Sequence, residues 1–341
     1  MKLYAGIDLH SNNSYVAVVD ETDKVLYQKR LPNDLDYILQ ELKPYKEHIE
    51  GIVVESTYNG YWLIDGLQEA DYKVHLANTT AIAQYNGLKH TDDKSDALWL
   101  AHMLRLDILA TGYIYPKEQR GLRELLRRRL LLVREQTRSI LAIQAMLVRY
   151  DNIKLTTAKI KSARNEEKEK LLALIKDVSV RLAAESQLNV LHCVMEQIHK
   201  LEQTILKELK DNAQFKLLTE MPGIGPILAM TILLETGNIS RFKQAGDFSS
   251  YCRCVESKHI SNAKKKGENN RKNGNPYLGW AFIEASNYAI RYYEPIKRCY
   301  QRKLAKTKRV VALKTIANKL SKACFYVLRD GVEFSMTKAF S

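Results

Sequence analysis

The sequence predicts an α/β amino-terminal domain with a mixed sheet, a long helical hairpin and a mostly helical carboxy-terminal domain. Three short runs rich in Val, Ile, Leu and Tyr open the chain, and helical and extended patterns then alternate as far as residue 106. This order is typical of a mixed sheet covered by helices. Two long helical patterns follow, and from Leu217 onward glycines and prolines separate further apolar helices. We place the domains at residues 1–115, 116–215 and 216–341.

The composition favours a nucleic acid as partner. The chain has 341 residues, of which 45% are hydrophobic, so it can form two domains and a connecting module. Lysine and arginine number 53 against 39 acidic residues, which gives a formal net charge of +14. Such an excess favours a polyanion, because Lys and Arg gain strongly from displacing the counterions of phosphates. The alternative is a merely basic surface.

The five cysteines form neither a metal-binding nor a disulfide pattern. Cys252 and Cys254 are two residues apart, and no histidine follows them at the spacing of a zinc finger. We therefore expect reduced thiols in a cytoplasmic protein. No apolar run approaches the ~18 residues that would span a bilayer, and the amino terminus lacks the apolar core of a signal peptide.

The strands and helices of the amino-terminal domain follow from local periodicity. Strands are predicted where β-branched and aromatic residues cluster between polar turns, at residues 2–9, 14–20, 24–31, 51–55 and 72–77. Helices are predicted where apolar residues recur three and four apart, at residues 33–46, 60–70, 80–85 and 93–106.

Two of the predicted strands end on an acidic residue: Asp8 closes the first, and Glu55 closes the strand after the first helix. In a mixed sheet these two strands are plausible neighbours. Asp93 and Asp96 are three residues apart at the start of a helix, so their side chains share one face. The four carboxylates can therefore converge, where they would raise one another's pKa unless divalent cations bound. Oxygen ligands without histidine or thiolate favour Mg²⁺ or Mn²⁺, and such ions can cleave phosphodiesters.

An alternative explanation of these acids needs no metal. Asp92 or Asp93 could cap the helix, and Asp96 could complement the helix dipole from the first turn. We prefer the capping role for Asp92 and metal binding for the set of four.

One long helix is predicted from Lys117 to about Tyr150, with arginines interleaved among leucines. Few acids lie nearby in the sequence, which favours a phosphate-facing stripe over a salt-bridged face. We assign nucleic-acid binding to Arg120, Arg123, Arg127, Arg128 and Arg134.

A second long helix is predicted to end near Leu209, after a polar hinge or tip at residues 151–170. Its apolar residues alternate three and four apart, as in a coiled coil. They are Leu191, Val194, Ile198, Leu201 and Ile205. The two helices would form an antiparallel hairpin, which either dimerises or simply packs within the chain.

The carboxy-terminal domain holds two further candidate sites. The PGIGP turn at residues 222–226 resembles a helix-hairpin-helix, in which Gly223 and Gly225 would approach a nucleic-acid backbone; such turns also simply connect helices. A predicted loop at residues 255–278 carries Ser257 and Ser261 before its cations. These cations are Lys264, Lys265, Lys266, Arg271 and Lys272. A serine beside them could attack a phosphate, although either serine could also be an ordinary turn residue.

An ordered set of motifs resembles the DEDD transposases of insertion-sequence family 110, in its 1111 branch, which are bridge-RNA-guided recombinases. The motifs are GIDLH (6–10), VESTYNGYW (54–62), DKSDALWLAHML (93–104), MPGIGPILA (221–229), RFKQAGDFSSYCRCVESKHISNAKKKGENNRKNGNPYL (241–278) and CFYVLRDG (324–331). They occur in the family's order and span nearly the whole chain.

The resemblance implies a RuvC-like, ribonuclease-H-type domain whose four acids are Asp8, Glu55, Asp93 and Asp96, a coiled-coil insertion, and a nucleophilic serine at Ser261. Asn262 stands where many relatives have glycine, which leaves Ser257 as the fallback. The serine would form a covalent phosphoserine link to DNA, with the two halves of a site coming from different protomers.

The resemblance also implies partners and a place of action. They are double-stranded donor and target DNA, a structured non-coding bridge RNA that pairs with both, and further copies of the chain, as a dimer that assembles into a tetramer. A bacterial cytoplasmic protein that joins the nucleoid when acting is expected.

Two other functions remain open from the sequence. In one, the chain is a RuvC-like, metal-dependent, structure-specific nuclease in which Ser261 is only structural. In the other, it is a non-catalytic nucleic-acid-binding protein.

Overall fold

The computed structural model describes residues 1–82, 93–257, 259–268 and 273–340. Residues 1–117 form one compact unit, and nearly all the described residues from 118 onward form a second. The division into three domains stays a prediction. Across the described residues, no helix is both long and apolar enough to cross a membrane.

The first unit is built on a mixed sheet. Its strands are β1 (Leu3–Leu9), β2 (Asn13–Asp20), β3 (Val25–Pro32), β4 (Ile49–Glu55), β5 (Val74–Ala77) and β6 (Thr111–Gly112). Their order is β3-β2-β1-β4-β5-β6, with β1–β4 and β4–β5 parallel and the other pairs antiparallel. The predicted mixed sheet and the pairing of the first strand with the strand after the first helix are confirmed. β6 was not predicted, because two residues carry no periodicity.

Helices cover the sheet of the first unit on both faces. They are α1 (Leu35–Leu42), α2 (Tyr61–Glu69) and α3 (Asp93–Arg105). The apolar residues of α1 and α2 share a core cluster with Leu3, Ile7 and other inward residues of β1. Leu100 and Met103 of α3 instead pack with Val53, so α3 covers the opposite face.

Two helices predicted in the first unit differ from the structure. The helix predicted at residues 33–46 is α-helical only to Leu42 and continues as a 3₁₀ turn, Lys43–His48, with Pro44 near its start. Proline cannot donate the backbone hydrogen bond that would continue an α-helix. Of the helix predicted at residues 80–85, Thr79–Ala81 forms a 3₁₀ turn, and residues 83–85 lie outside the described residues.

The second unit is mostly helical. Its elements are α4 (Lys117–Asp151), α5 (Thr157–Ser162), α6 (Glu166–Ala173), α7 (Val178–Leu209), α8 (Ala213–Thr219), α9 (Pro226–Thr236), α10 (Ala245–Tyr251), β7 (His259–Ser261), β8 (Lys264–Gly267), α11 (Pro276–Tyr292), α12 (Glu294–Leu304), α13 (Arg309–Asp330) and α14 (Met336–Phe340). Its largest core packs Phe248, Phe282 and Phe325 between α10, α11 and α13.

The two long helices α4 and α7 run antiparallel. Arg129 of α4 pairs with Glu202 of α7 at 2.7 Å, and Ser139 accepts a hydrogen bond of 2.9 Å from Gln187. Every seventh residue of the predicted seam is buried, at Leu191, Ile198 and Ile205. The coiled-coil assignment itself stays a prediction.

The region between α4 and α7, predicted as a polar hinge or tip at residues 151–170, is partly helical. It contains α5 and α6, and Ile160, Leu171 and Leu172 pack in one cluster with the end of α4. The role of this region as a hinge or tip stays a prediction.

Candidate active site

Asp8 lies on the face of the sheet that α3 covers. Side chains alternate across a strand, so Asp8 shares the face of Gly6, while Ile7 points to the opposite core. In the parallel register of β1 and β4, Gly6 is paired with Val53 and Ile7 with Val54, which places Glu55 beside Asp8 at the strand ends. Asp8 is only 2% exposed. The fold therefore buries one carboxyl group and sets a second next to it.

Helix α3 reaches this point because Gly6 has no side chain. A Cβ built at Gly6 would lie 2.0 Å from the backbone oxygen of Ala97 and 2.7 Å from the backbone nitrogen of Ala101. The helix backbone thus rests directly on β1. This contact brings the first turn of α3, with Asp93 and Asp96, to the end of the strand.

The electrostatics of Asp8 show that the four predicted acids are close together. Burial raises the pKa of the Asp8 carboxyl to about 8, with further contributions from a hydrogen bond with Glu55 and from the negative charges of Glu55, Asp96 and Asp93. Like charges around a buried carboxyl group favour its protonated form. Without a cation the cluster therefore holds a proton near neutral pH.

His10 belongs to the same cluster, and sequence reasoning missed it. Its Nε2 atom lies 3.1 Å from Oδ2 of Asp93 and 3.4 Å from Oδ2 of Asp8. Its backbone oxygen accepts hydrogen bonds from the side-chain amides of Asn33 and Asn59, at 2.9 and 3.1 Å. The available signal was its position two residues after Asp8, where a chain leaving a strand still lies near the strand's end.

The cluster has the donors that a divalent cation requires. One ligand atom from each of Asp8, His10 and Asp93 lies within 4.8 Å of the other two. Oδ2 of Asp8 is buried and accepts no hydrogen bond within the described structure. A buried, charged oxygen of this kind is costly unless a proton or a cation neutralises it. The residues present therefore fit a divalent metal ion.

Ser261 lies at the end of a β-hairpin rather than in an irregular loop. β7 pairs with β8 in antiparallel fashion, and Ser261 stands opposite Lys264. The turn residues Asn262 and Ala263 have φ of +51° and +57°, as in a tight two-residue hairpin turn. The predicted loop is thus wrong for residues 259–267, because the turn geometry imposes pairing on a sequence of low strand propensity. Asn262 suits its position, since asparagine tolerates positive φ.

The hairpin exposes a hydroxyl group beside cations. Ser261, Lys264 and Lys266 are exposed, and Ser257 is half-buried. Two residues directly opposite each other on paired strands have neighbouring side chains, so Lys264 lies next to Ser261. The predicted contacts Arg271 and Lys272, and the side chain of Lys265, lie outside what the structure describes.

The arginine stripe of α4 is partly salt-bridged, contrary to the expectation that few acids compensate it. Glu235 of α9 is completely buried and accepts hydrogen bonds from Arg127, at 2.7 and 3.0 Å, and from Arg123, at 3.1 Å. Asn275 also donates to it, at 2.7 Å. Burial alone would raise the pKa of Glu235, but these partners hold it below its ordinary value. The compensating acid is more than one hundred residues away in the sequence, so local composition could not reveal it.

Replacing Glu235 with glutamine is expected to lower the free energy of unfolding by about 3 kcal/mol. Breaking a buried ion pair leaves the remaining charges uncompensated, which typically costs about 3–5 kcal/mol. Chemical denaturation measures the change. Glu135→Gln is the matched control, because Glu135 pairs with Arg138 on the surface and such pairs contribute about 1 kcal/mol or less. Equal effects of the two substitutions would contradict the structural role of Glu235.

The nucleic-acid-binding role of the other predicted contacts stays a prediction. Arg128 and Arg134 of α4 are exposed, and Arg120 is half-buried. Gly225 is exposed at the start of α9 with open space around it. Gly223 has φ of +77°, and a Cβ there would lie 2.1 Å from the backbone oxygen of Ala285 in α11. Close packing of the turn on α11 is therefore a sufficient reason for glycine at position 223.

Two family models match the chain. Residues 5–151 match a model described as a transposase, the DEDD transposase model of IS110 elements. Residues 215–301 match the model described as the transposase IS116/IS110/IS902 family. Together they cover about two thirds of the chain and include every site residue considered above.

Three curated proteins are similar to the chain. A "Probable family 20 transposase" of Pseudomonas aeruginosa is 22% identical over 84% of this chain and 83% of its own length. A candidate mini-circle transposase for IS117 of Streptomyces coelicolor is 24% identical over 86% of this chain and 87% of its own length. An uncharacterised IS110 insertion-element protein of Streptomyces coelicolor is 31% identical over 41% of this chain and 35% of its own length.

The similarity thus extends over both units, and the acids that converge in the structure lie within the matched DEDD region. The chain belongs to the IS110 family of transposases, enzymes that cleave and rejoin DNA.

Proposed function

We propose that the chain moves its own insertion sequence by cleaving and rejoining DNA at a divalent-metal site made by Asp8, Glu55, Asp93 and Asp96, with Ser261 as nucleophile. The single observation that carries this proposal is the convergence of three carboxyl groups, those of Glu55, Asp93 and Asp96, on buried Asp8, whose pKa they help to raise to about 8. When bound there, Mg²⁺ or Mn²⁺ supplies positive charge that offsets the negative charge developing on a phosphate.

The chain's own residues have separate roles in this proposal. The carboxylates hold the cation, and His10 lies where it can orient Asp93 through its Nε2 atom. The Ser261 hydroxyl attacks the scissile phosphorus, forms a phosphoserine bond and releases a DNA hydroxyl end. Rejoining is the reverse attack by a DNA hydroxyl. Lys264, opposite Ser261, is placed to stabilise phosphate charge.

Trapping the protein on cleaved DNA tests the nucleophile. With a plasmid that carries the element's ends, the wild-type chain is expected to form a covalent protein–DNA adduct. Ser261→Ala should abolish the adduct, whereas Ser257→Ala should retain it, because only Ser261 is exposed on the hairpin. Metal-dependent nicking without any adduct would favour the alternative function, a structure-specific nuclease that activates water.

Metal binding is expected to release protons in a pH-dependent way. The pKa of Asp8 in the metal-free fold, about 8, is above its ordinary value of 3.8, so the folded chain binds one more proton than the unfolded chain between these pH values. The free energy of unfolding of the metal-free chain should therefore fall as the pH rises from about 4 to about 8.

Titration calorimetry in two buffers of different ionisation enthalpy measures that proton release. Binding of Mg²⁺ or Mn²⁺ at pH 7 should release close to one proton, and the release should vanish above about pH 9. Below pH 8 the apparent affinity should rise about tenfold per pH unit. Proton release that persists unchanged in Asp8→Asn would contradict this assignment.

The guide RNA and the assembly of several copies are also part of the proposal. Their support is the motif resemblance together with the net charge of +14. Sequencing of RNA that co-purifies with the full chain, and light scattering with and without that RNA, test them directly. A chain that purifies without specific RNA and stays monomeric on DNA would remove this part.

A further inference from the structure

Exposed tyrosines and cations follow one another from the end of α11 through α12 to the start of α13. Tyr288 and Tyr292 are 48% and 74% exposed. They are four residues apart on α11, so their rings lie on one face of the helix. Among the described residues neither ring contacts another aromatic ring or a cation. These rings are available to a partner.

Helix α12 continues this region with a row of free cations. Ile296 is completely buried and fixes which side of α12 faces the core. Arg298 and Arg302 are exposed and four residues apart, and Lys306 extends the same spacing into the following turn. None of the three forms an ion pair within the part of the chain that the structure describes.

The residues at which α13 begins add charge, and almost nothing balances it. Lys308 and Arg309 are exposed. Between residues 288 and 314 the sequence has a single acid, Glu294, whose carboxylate lies 3.8 Å from Lys297. This differs from α4, where Glu235 and Glu202 already bind several of the arginines. The structure therefore leaves more unneutralised charge here than on the helix whose sequence is richer in arginine.

We propose that residues 288–309, the Tyr–Arg surface, bind a single-stranded nucleic acid. The cations Arg298, Arg302 and Lys306 would lie along the sugar–phosphate backbone, and Tyr288 and Tyr292 would stack on unpaired bases. Exposed rings together with exposed cations are the combination that binds single strands, because stacking needs base faces that a duplex hides. This inference rests on the proposed function in one respect, because cleaving and rejoining DNA requires unpaired strands.

Fluorescence anisotropy with the full-length chain, without divalent metal, tests the surface. The probe is an oligonucleotide of roughly 16 nucleotides, offered as single-stranded DNA, single-stranded RNA of the same sequence, or duplex. Arg298→Gln, Arg302→Gln and Lys306→Gln are combined in one variant. The matched control combines Lys200→Gln, Lys207→Gln and Lys210→Gln, which removes the same charge from exposed positions at the end of α7.

The triple variant of the Tyr–Arg surface is expected to reduce the slope of log affinity against log salt by about 2, since each phosphate contact on a single strand contributes about 0.7.

Replacing Tyr288 and Tyr292 with alanine should weaken single-strand binding about fivefold or more, and phenylalanine at both positions should restore it. Duplex binding should not respond to the tyrosine changes. The strand, DNA or RNA, on which the tyrosine effect is larger identifies the natural ligand.

The proposal is overturned if the variants of the Tyr–Arg surface bind single strands as tightly as the wild-type chain, or if they lose no more affinity than the α7 control does. Either result would leave the proposed function intact. Equal losses on duplex and single strand in the alanine variant would also overturn it, because stacking would then not be the cause. A wild-type chain that binds no nucleic acid at all would instead refute the proposed function.

Discussion

Replacing Asp8 with asparagine is expected to abolish transposition, lowering strand cleavage by about three orders of magnitude or more, the scale on which lost transition-state charge stabilisation acts. Asp8 is the buried acid on which Glu55, Asp93 and Asp96 converge, so its loss removes the centre of the proposed cation site. A cleavage assay on a plasmid that carries the element's ends measures the effect. Cleavage within tenfold of wild type would show that the acid cluster is not the catalytic site.

The stability of the same variant separates a catalytic loss from an unfolded protein. Because an unprotonated Asp8 is buried among other carboxylates, asparagine should make the metal-free chain at least as stable as wild type above pH 8. Nucleic-acid binding should also survive. Asp36→Asn, at an exposed acid in the first turn of α1, is the control and should keep full activity.

Replacing Gly6 with alanine is expected to destabilise the first unit by about 3 kcal/mol or more, at the upper end of the cost of overpacking. The new methyl group would meet backbone atoms of Ala97 and Ala101, which cannot rotate away as a side chain can. Helix α3 would have to move off β1 and would take Asp93 and Asp96 away from Asp8. Both the free energy of unfolding and the affinity for Mn²⁺ should therefore fall, which denaturation and calorimetry measure.

Gly121→Ala is the matched control for this substitution. Gly121 lies within α4 with nothing near its missing Cβ, so alanine should leave stability unchanged or raise it by up to about 1 kcal/mol. A Gly6→Ala protein as stable as wild type, with unchanged Mn²⁺ affinity, would show that α3 does not depend on this close contact.

Much of the first unit could be predicted, because its strands are marked by local sequence patterns. The apolar runs that end at Asp8 and Glu55 are local patterns, and both strands were predicted within two residues of their observed bounds. The adjacency of β1 and β4 followed from general rules of chain connection. Proximity of the four acids was thus a reasonable inference from the sequence.

The remaining features depend on residues far apart in the chain. His10 had no metal-binding spacing of its own and gained its place only from the path of the chain after β1, fixed by Asn33 and Asn59. The arginines of α4 looked unpaired because Glu235 lies on another helix. The hairpin that presents Ser261 depends on two residues with positive φ, a geometry that its composition did not indicate.

The acids at the strand ends, the long helices and the excess of positive charge can be read from the amino-acid order alone, because periodicity and composition are properties of neighbouring residues. Which of the charges remain available depends on the folded chain. It buries Asp8 under the helix that Gly6 admits, and it neutralises Arg123 and Arg127 on Glu235 while leaving Arg298 and Arg302 exposed. Burial and ion pairing depend on distances in space, which a local sequence pattern does not contain.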